Sequence, residues 1–366
     1  MPERPFGCCA QKVPDPFFSH GPLGGRTELL GAVHLHTGHS DGTGDARVLA
    51  EAAAARGLDF VVVSDHDSLG VRADGGEGWH GRVLIAVGTE ISTAGDGHLL
   101  ALGNATAAGR YELTVEQALE RVGAEGGQVY AAHPHGRGLF GRRRALDDWP
   151  YWSHPLLAGL EIWNYLHDWA DSFRFWQPAS YRLSEIAGRI QGPPRWLLAR
   201  WDQQAARRSF PGLAGNDNHA KRLPLSSRRF FPHEALVGRL VNRVRLAAPL
   251  AADGRAAVAG LFAALAAGRV TVAREELASS EGFDFRVEAA DGRALGGGQS
   301  AAFAPGARAV VESPRQAELG IVVGGQTLAA GLGRRLEAPL GAPGPVRAEA
   351  RLEGRAWVFS NHVRLV

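Results

Sequence analysis

Apolar runs that end in polar clusters recur through the first three quarters of the chain. Residues 29–33 are mostly apolar and lead into His34-Leu35-His36-Thr37-Gly38-His39-Ser40-Asp41-Gly42. Residues 59–67 (DFVVVSDHD) and 82–90 (RVLIAVGTE) repeat the form, the second ending in Glu90. Residues 97–103 (GHLLALG), 128–135 (QVYAAHPH) and 158–163 (AGLEIW) add strand-like runs, and residues 210–215 lead into Asn216-Asp217-Asn218-His219. Short apolar runs of this kind suit buried parallel strands whose C-terminal ends carry polar groups. Helical spacing fills the gaps. Residues 45–58 have Asp45 as N-cap and Gly57 as stop, and residues 114–123 have Thr114 as N-cap. Residues 165–208 are mostly helical in texture, broken by Gly192-Pro193-Pro194, and the Ala-rich residues 253–268 run into Val270-Thr271-Val272.

Near residue 282 the pattern changes. Residues 283–288 (FDFRVE) alternate, and residues 309–312, 317–323 and 356–366 are also strand-like, with Gly-Gly and Asp-Gly turns between strands. Strand–helix alternation predicts an α/β domain, either a parallel β/α barrel or a doubly wound sheet. The later strands predict a small antiparallel β-sandwich. The expected organisation is an N-terminal arm over 1–26, an α/β domain over 27–278 and a β-domain over 279–366. Seven of the nine tryptophans fall between Trp149 and Trp201. They mark an insertion at about 149–208, read as a packed helical subdomain, with the wall of a substrate cleft as the alternative.

Composition narrows the class. The 366 residues suffice for one large domain and a small one, and a 45% hydrophobic content allows a sizeable core. The balance of 40 basic against 38 acidic residues, net +2, argues against a general nucleic-acid or membrane-surface protein. Lysine occurs only at Lys12 and Lys221, the other basic residues being Arg. Cys8 and Cys9 are adjacent and make no disulfide framework, and residues 1–26 lack the apolar core of a signal peptide. A cytoplasmic protein is expected, with no membrane-spanning run.

The chemistry concentrates at the strand ends. His34 and His36 stand at i and i+2, so in a regular strand both imidazoles leave one face. A hydrogen-bonded pair without metal is the alternative for that segment alone. The full set is His34, His36, Asp41, His66, Glu90, His98, His133, Asp217 and His219. All are nitrogen or oxygen donors with no thiolate, which suits Zn, Mn or Fe. Nine donors exceed the four of one tetrahedral ion, so two or three divalent ions are expected. Two ions sharing a carboxylate lie about 3.5–4 Å apart and lower the pKa of bound water toward about 7, which makes a nucleophile without Ser or Cys.

The order HxH, SDG, DH, Glu, His, HPH and DxH over residues 28–222 resembles the polymerase and histidinol phosphatase (PHP) superfamily. The resemblance implies a distorted seven-stranded, TIM-like β/α barrel with a bi- or trinuclear site. Carried over by position, His34, His36, Glu90 and Asp217 would hold a first ion. Glu90 would bridge to a second ion held with His98 and His133, and Asp41, His66 and His219 would hold a third. The run AALAAGRVTVA, followed by a β-domain ending in RAWVFSNHVRLV, resembles the carbaryl-hydrolase-like branch, which carries a C-terminal β-sandwich. That branch ends closer to W-x-x-SNP, and here His362 stands in place of the proline.

Neighbouring residues receive roles from the same logic. Asp65, beside His66, is read as orienting a ligand histidine. His135 is a candidate substrate or proton-transfer group. Arg137, Lys221 and Arg222 would lie near the barrel mouth and could clamp a phosphate, as could residues 142–144, all Arg. Glu161 and Asn164 are read as ordinary strand-end hydrogen-bonding groups. The expected function is a metal-dependent hydrolase, phosphoesterase first, acting on a small-molecule phosphoester. Hydrolysis of a carbamate, ester or amide carbonyl is the alternative, and a non-catalytic metal scaffold the second. The β-domain supplies none of the nine donors, so the chemistry is expected to be independent of it.

Overall fold

The first apolar run forms β1 (Glu28–Leu35), buried from Gly31 onward in a computed structural model that describes residues 21–95, 97–136, 145–172, 188, 190–222 and 229–366. Asp45 accepts a hydrogen bond from the Val48 N–H at 2.9 Å and caps α1 (Ala46–Ala55). The helix returns the chain to β2 (Phe60–Val63), which pairs in parallel with β1. A short α2 (Gly70–Ala73) and β3 (Gly78–His80) precede β4 (Val83–Ser92), which is buried throughout and parallel to β2. Next come β5 (His98–Leu102), α3 (Val115–Ala124), β6 (Gln128–Ala131), β7 (Leu157–Asn164) and α4 (Tyr165–Ser172). Then α5 (Arg195–Arg207) begins after Pro194 and is followed by β8 (Gly212–Gly215).

Strands β1, β2, β4, β5, β6, β7 and β8 pair in that order. The chain leaving β8 returns to β1: Asn216 N–H donates to Val33 O at 2.9 Å, and Asp217 N–H to His34 O at 2.7 Å. The ring of pairings therefore closes beside the histidines. The order is not all-parallel, because β5 runs antiparallel to both β4 and β6. Residues 93–97 are too few for a crossover helix, which a parallel connection requires, so β4 and β5 form a hairpin. That hairpin brings His98, at the start of β5, to the end of β4 that carries Glu90.

After α6 (His233–Leu236), β9 (Val241–Arg245) pairs antiparallel with β1, and α7 (Gly254–Ala266) leads to β10 (Val270–Ala273). The remaining chain is strand-rich: β11 (Asp284–Glu288), β12 (Ala294–Leu295), β13 (Ser300–Ala301), β14 (Arg308–Val323), β15 (Gln326–Pro339), β16 (Gly344–Leu352), β17 (Arg355–Ser360) and β18 (Val363–Leu365). The two runs expected at 309–312 and 317–323 are one strand, β14, with a register shift between Glu312 and Ala317. Gly324 and Gly325, both at positive φ, turn the chain into β15, most of which is exposed. Pairing with β14, not an alternating pattern of its own, makes that segment a strand. Among the described residues no helix is long and apolar enough to cross a membrane.

The C-terminal strands are tied to the ring more closely than their lack of donors suggests. Strand β17 pairs with β10, so pairing continues across residue 278. The Asn361 amide accepts from Gly212 N–H at 2.7 Å and donates to Gly212 O and Val270 O, both at 2.9 Å. It thus holds the strand that leads to Asp217. His362 is buried, with Nε2 2.7 Å from Asp202 Oδ1 on α5, and the same carboxylate takes a bidentate pair from Arg347 at 2.7 and 3.0 Å. The residue that replaces proline in the family-like ending is therefore part of a buried ion network.

Burial opposes ionisation of Asp202, but His362 and Arg347 outweigh it and hold the carboxyl below its ordinary value. A carboxyl with a depressed folded pKa contributes stability above the ordinary range near about 4, and that stability disappears as pH falls through the folded value. Asp202→Asn removes the bidentate partner of buried Arg347, leaves it only Glu349 at 3.1 Å, and is expected to cost up to about 3–5 kcal/mol at neutral pH. Urea unfolding at pH 7 and pH 3 checks this: the variant's stability should change less between the two pH values than that of the wild type. Equal changes would show that Asp202 does not carry the pairing.

Candidate metal centre

The ends of the ring strands converge on Glu90, which is fully buried. Its Oε2 lies 3.0 Å from His34 Nε2, 3.2 Å from His36 Nε2 and 3.3 Å from His66 Nδ1. Its Oε1 lies 2.6 Å from His98 Nδ1 and 2.7 Å from His133 Nε2. One carboxylate therefore faces two separate sets of imidazoles, one through each oxygen. His34 reaches this position differently from the regular strand expected. It has φ 67° and is the extra residue where the β1–β2 register shifts between Val33 and Leu35. A bulge re-aims a side chain in this way, and His36 follows just beyond the strand. His133 and Asp217 also have positive φ, at 31° and 54°. Left-handed backbone at non-glycine residues costs about 1–3 kcal/mol each and collects where function holds it.

Asp217 repeats the theme. Its Oδ1 lies 3.3 Å from His36 Nε2, 3.7 Å from His34 Nε2 and 3.5 Å from His219 Nδ1, and its Oδ2 lies 3.1 Å from His167 Nε2. Asp41 stands at the outer edge, half-exposed. Its Oδ1 is 3.0 Å from His219 Nε2 and 3.8 Å from His66 Nε2, and its Oδ2 is 2.6 Å from the Lys221 ammonium. All nine donors singled out in the sequence thus meet at one end of the ring. Grouped by proximity they fall into His34/His36/Glu90/Asp217, His66/Glu90/His98 and His36/Asp41/His66/His219, with a fourth group of His133, His167 and Asp217.

The electrostatics of the cluster call for a cation. Burial alone would lower His34 and His36, yet Glu161, Glu90 and Asp217 hold His34 well above its ordinary value, and Asp217 and Glu90 lift His36 to about 9. Burial alone would raise Glu90 and Asp217, yet the surrounding imidazoles hold both well below the usual carboxylate range. Protons on histidine here balance buried carboxylates, which is the task a divalent ion performs when imidazole is neutral. His66, by contrast, is lowered to about 4, by burial and by the neighbouring His36. Burial, and then His167, also lower His133.

The residues fit metal. His36 Nε2 and His66 Nδ1 are buried without a hydrogen bond, although both face Glu90 Oε2. An orphaned buried ring nitrogen is costly, and coordination is what removes the cost. The donor set, imidazole and carboxylate without thiolate, suits Zn, Mn or Fe.

Groups behind the donors hold them in place. Glu161 Oε1 lies 2.6 Å from His34 Nδ1, while Oε2 accepts from the His133 N–H at 2.6 Å and from the Asn164 side chain at 3.0 Å. Gly215 makes room for it, since a Cβ there would overlap Glu161 Oε1. The strand-end role expected for Glu161 and Asn164 is thus directed at two of the donor histidines. Asp65 accepts from Thr37 N–H at 2.7 Å, from Thr37 Oγ1 at 2.6 Å and from Ser40 Oγ at 2.6 Å. Ser40 Oγ in turn lies 3.5 Å from His36 Nδ1, so Asp65 reaches a donor histidine through the first loop.

His167 was not singled out in the sequence. It sits on α4, and its ring stacks on His133 at 4.0 Å between centroids. Its signal is weak: a lone histidine three residues after Asn164, whose Oδ1 accepts its N–H at 3.1 Å. His135 is buried with Nε2 unpartnered and Nδ1 3.8 Å from Asp171, and it is not among the grouped donors. A cavity of about 360 Å³ opens over the cluster. It is lined also by Arg110 and Lys221 and by an apolar wall that includes Leu166, Trp169, Phe230 and Phe231. Arg222 is exposed and, among the described residues, does not line it. Arg137 and the arginines at 142–144 lie outside the described residues, as do Cys8, Cys9 and Lys12.

Glu161→Gln tests the supporting frame. An amide cannot accept from His34, the His133 backbone and Asn164 together, so metal affinity should fall about 10–100-fold. Competition with a chromophoric chelator measures it. Unchanged affinity would mean that Glu161 does not hold the donors.

No family model matches this chain, and no curated protein matches it. Among solved structures it is similar to a two-domain protein from Bacteroides vulgatus containing a predicted PHP-like metal-dependent phosphoesterase, with 15% identity, TM-score 0.42, and 92% of this chain and 95% of that chain covered. It is similar also to a proposed metal-dependent phosphoesterase from Bifidobacterium adolescentis, with 18% identity, TM-score 0.36, and 56% and 93% covered. A third is an amidohydrolase from Chromobacterium violaceum with bound sulfate and no metal, with 15% identity, TM-score 0.32, and 56% and 96% covered.

Proposed function

We propose that this chain is a metal-dependent hydrolase of the PHP type, acting first on phosphoesters. The observation that carries the reading is Glu90, one buried carboxylate with three imidazoles at one oxygen and two at the other. That arrangement is what a carboxylate shared by two ions requires. In this reading residues 27–278 are a distorted seven-stranded β/α barrel, residues 279–366 a β-sandwich, and the chain falls in the carbaryl-hydrolase-like branch. His34, His36, Glu90 and Asp217 would hold one ion, Glu90 with His98 and His133 a second, and Asp41, His66 and His219 a third.

Bound divalent ions supply Lewis-acid charge to the substrate oxygens and lower the pKa of water. The chain does the rest. Glu161 fixes the rings of His34 and His133, and Asp65 fixes the first loop through Thr37 and Ser40. Arg110 and Lys221 line the cavity mouth and present positive charge to phosphoryl oxygens, where a preformed cation stabilises developing charge. Arg222, which does not line the cavity, has no place in that clamp. His135, buried two residues beyond His133, is the proton-transfer candidate. The apolar wall beside the donors excludes water from a bound substrate. An open cavity over the donors, with two cations at its edge, favours catalysis over a metal scaffold. Carbonyl hydrolysis uses the same donors and is the second reading, since one polarised oxygen needs only the bridged pair.

Two variants test the assignment on metal-supplemented protein, against a panel of phosphomonoesters, phosphodiesters, carboxylic esters and carbamates. Glu90→Gln should be the most damaging single change, lowering ion content and cutting turnover by more than about 10²-fold. Near-wild-type turnover would remove Glu90 as the bridge. Asp41→Asn should remove one ion and cut phosphoester turnover about 10²–10³-fold, while any ester or carbamate activity falls much less. Equal losses on both substrate classes, or a lost ion with phosphoester turnover intact, would mean that the third position is not what makes this a phosphoesterase.

A further inference from the structure

Among the described residues two cations line the cavity over the donor cluster, Arg110 and Lys221, and Lys221 is paired with a donor carboxylate. Lysine accounts for two of the chain's 40 basic residues, and Lys221 is the one among the described residues. It lies two positions after His219, with its ammonium 2.6 Å from Asp41 Oδ2. Asp41 is the single carboxylate in the group His36/Asp41/His66/His219. The buried group His34/His36/Glu90/Asp217 has two. The inner position is therefore negative when its imidazoles are neutral, whereas at the outer position the Lys221 charge already cancels Asp41. The two positions also differ in exposure: Glu90 is 0% and Asp217 3% exposed, while the Asp41 side chain is 44% and that of Lys221 52% exposed.

Resting on the reading of three ion positions, we propose that Lys221 is a resident counter-cation for the outermost one. It holds Asp41 in place when the ion is absent and competes with the ion for the same carboxylate. The buried pair of ions then binds tightly, and the outer ion binds weakly and exchanges. An ammonium suits this task better than a guanidinium. It is a compact point charge on a flexible stem that can swing out to water, whereas arginine's fork would lock bidentately onto the carboxylate. A dication arriving near Asp41 is repelled by the ammonium until the lysine swings away.

The test is a Mn²⁺ titration of the full chain, followed by calorimetry and by electron paramagnetic resonance of free Mn²⁺. Wild type, Asp41→Asn, Lys221→Met and Lys221→Arg are compared at neutral pH. Wild type should show a tight class and a weak class, and Asp41→Asn should lose the weak class. Lys221→Met should tighten the weak class about tenfold or more and leave the tight class unchanged, whereas Lys221→Arg, which keeps the charge, should not tighten it. A weak class that Lys221→Met leaves unchanged or weakens overturns the inference. So does equal tightening by Met and Arg, which would reflect loop packing and not charge. A tight class alone in both wild type and Lys221→Met overturns it while the metal-hydrolase reading stands. No ion binding by the wild type removes that reading as well.

Discussion

A carboxylate buried at 0% exposure among five imidazoles is the constraint on which this end of the molecule depends. Taking Glu90 out of water costs several kcal/mol, and only close positive charge returns it. Neutral imidazoles do not supply that charge. Either they bind protons, toward which the surrounding carboxylates push His34 and His36, or a metal ion would stand between them and the carboxylate. Five ring nitrogens lie within 3.3 Å of its two oxygens, three at one and two at the other, and a dication at each oxygen would supply the charge while the imidazoles stay neutral.

The ring of strands exists around that demand. The donors gather at one end of the ring: His34, His36 and Asp41 from β1 and the loop after it, Glu90 and His98 from the β4–β5 hairpin, His66 and His133 from beyond β2 and β6, and Asp217 and His219 from beyond β8. The chain leaving β8 bonds back to β1 at the level of His34 and Asp217. The frame continues outward. Glu161 holds two donors from behind, and Asn361, from the last strands, clamps the backbone of Gly212 and Val270. The C-terminal region donates nothing to the site, yet it fixes the strand that presents Asp217. Independence of the chemistry from that region is thus a statement about donors and does not extend to support.

Much of the cluster was legible in the chain because apolar runs ending in His, Asp or Glu are hard to reconcile with ordinary burial. The nine donors could be named from that pattern and from family resemblance. What the pattern missed depends on long-range geometry. Alternation at His34 and His36 predicts a regular strand, but the bulge that turns His34 toward Glu90 is set by pairing with β2. The antiparallel β5 follows from a connector too short for a helix, which a hydropathy pattern does not weigh. His167 reaches the cluster only because α4 folds back over His133, and no periodicity marks it. His362 looked like a departure from a family ending. Its partner, Asp202, lies 160 residues away and is invisible until α5 is placed. Strand β15, exposed and without alternation, is written by its neighbour and not by its own residues.

The central claim is that Glu90 is shared by two ions. Anomalous diffraction from crystals of the metal-loaded protein, collected on both sides of the absorption edge of the bound metal, tests it most directly. The account predicts two peaks about 3.5–4 Å apart, one within coordination distance of each Glu90 oxygen. A single peak, or peaks that leave either oxygen of Glu90 uncoordinated, would contradict it.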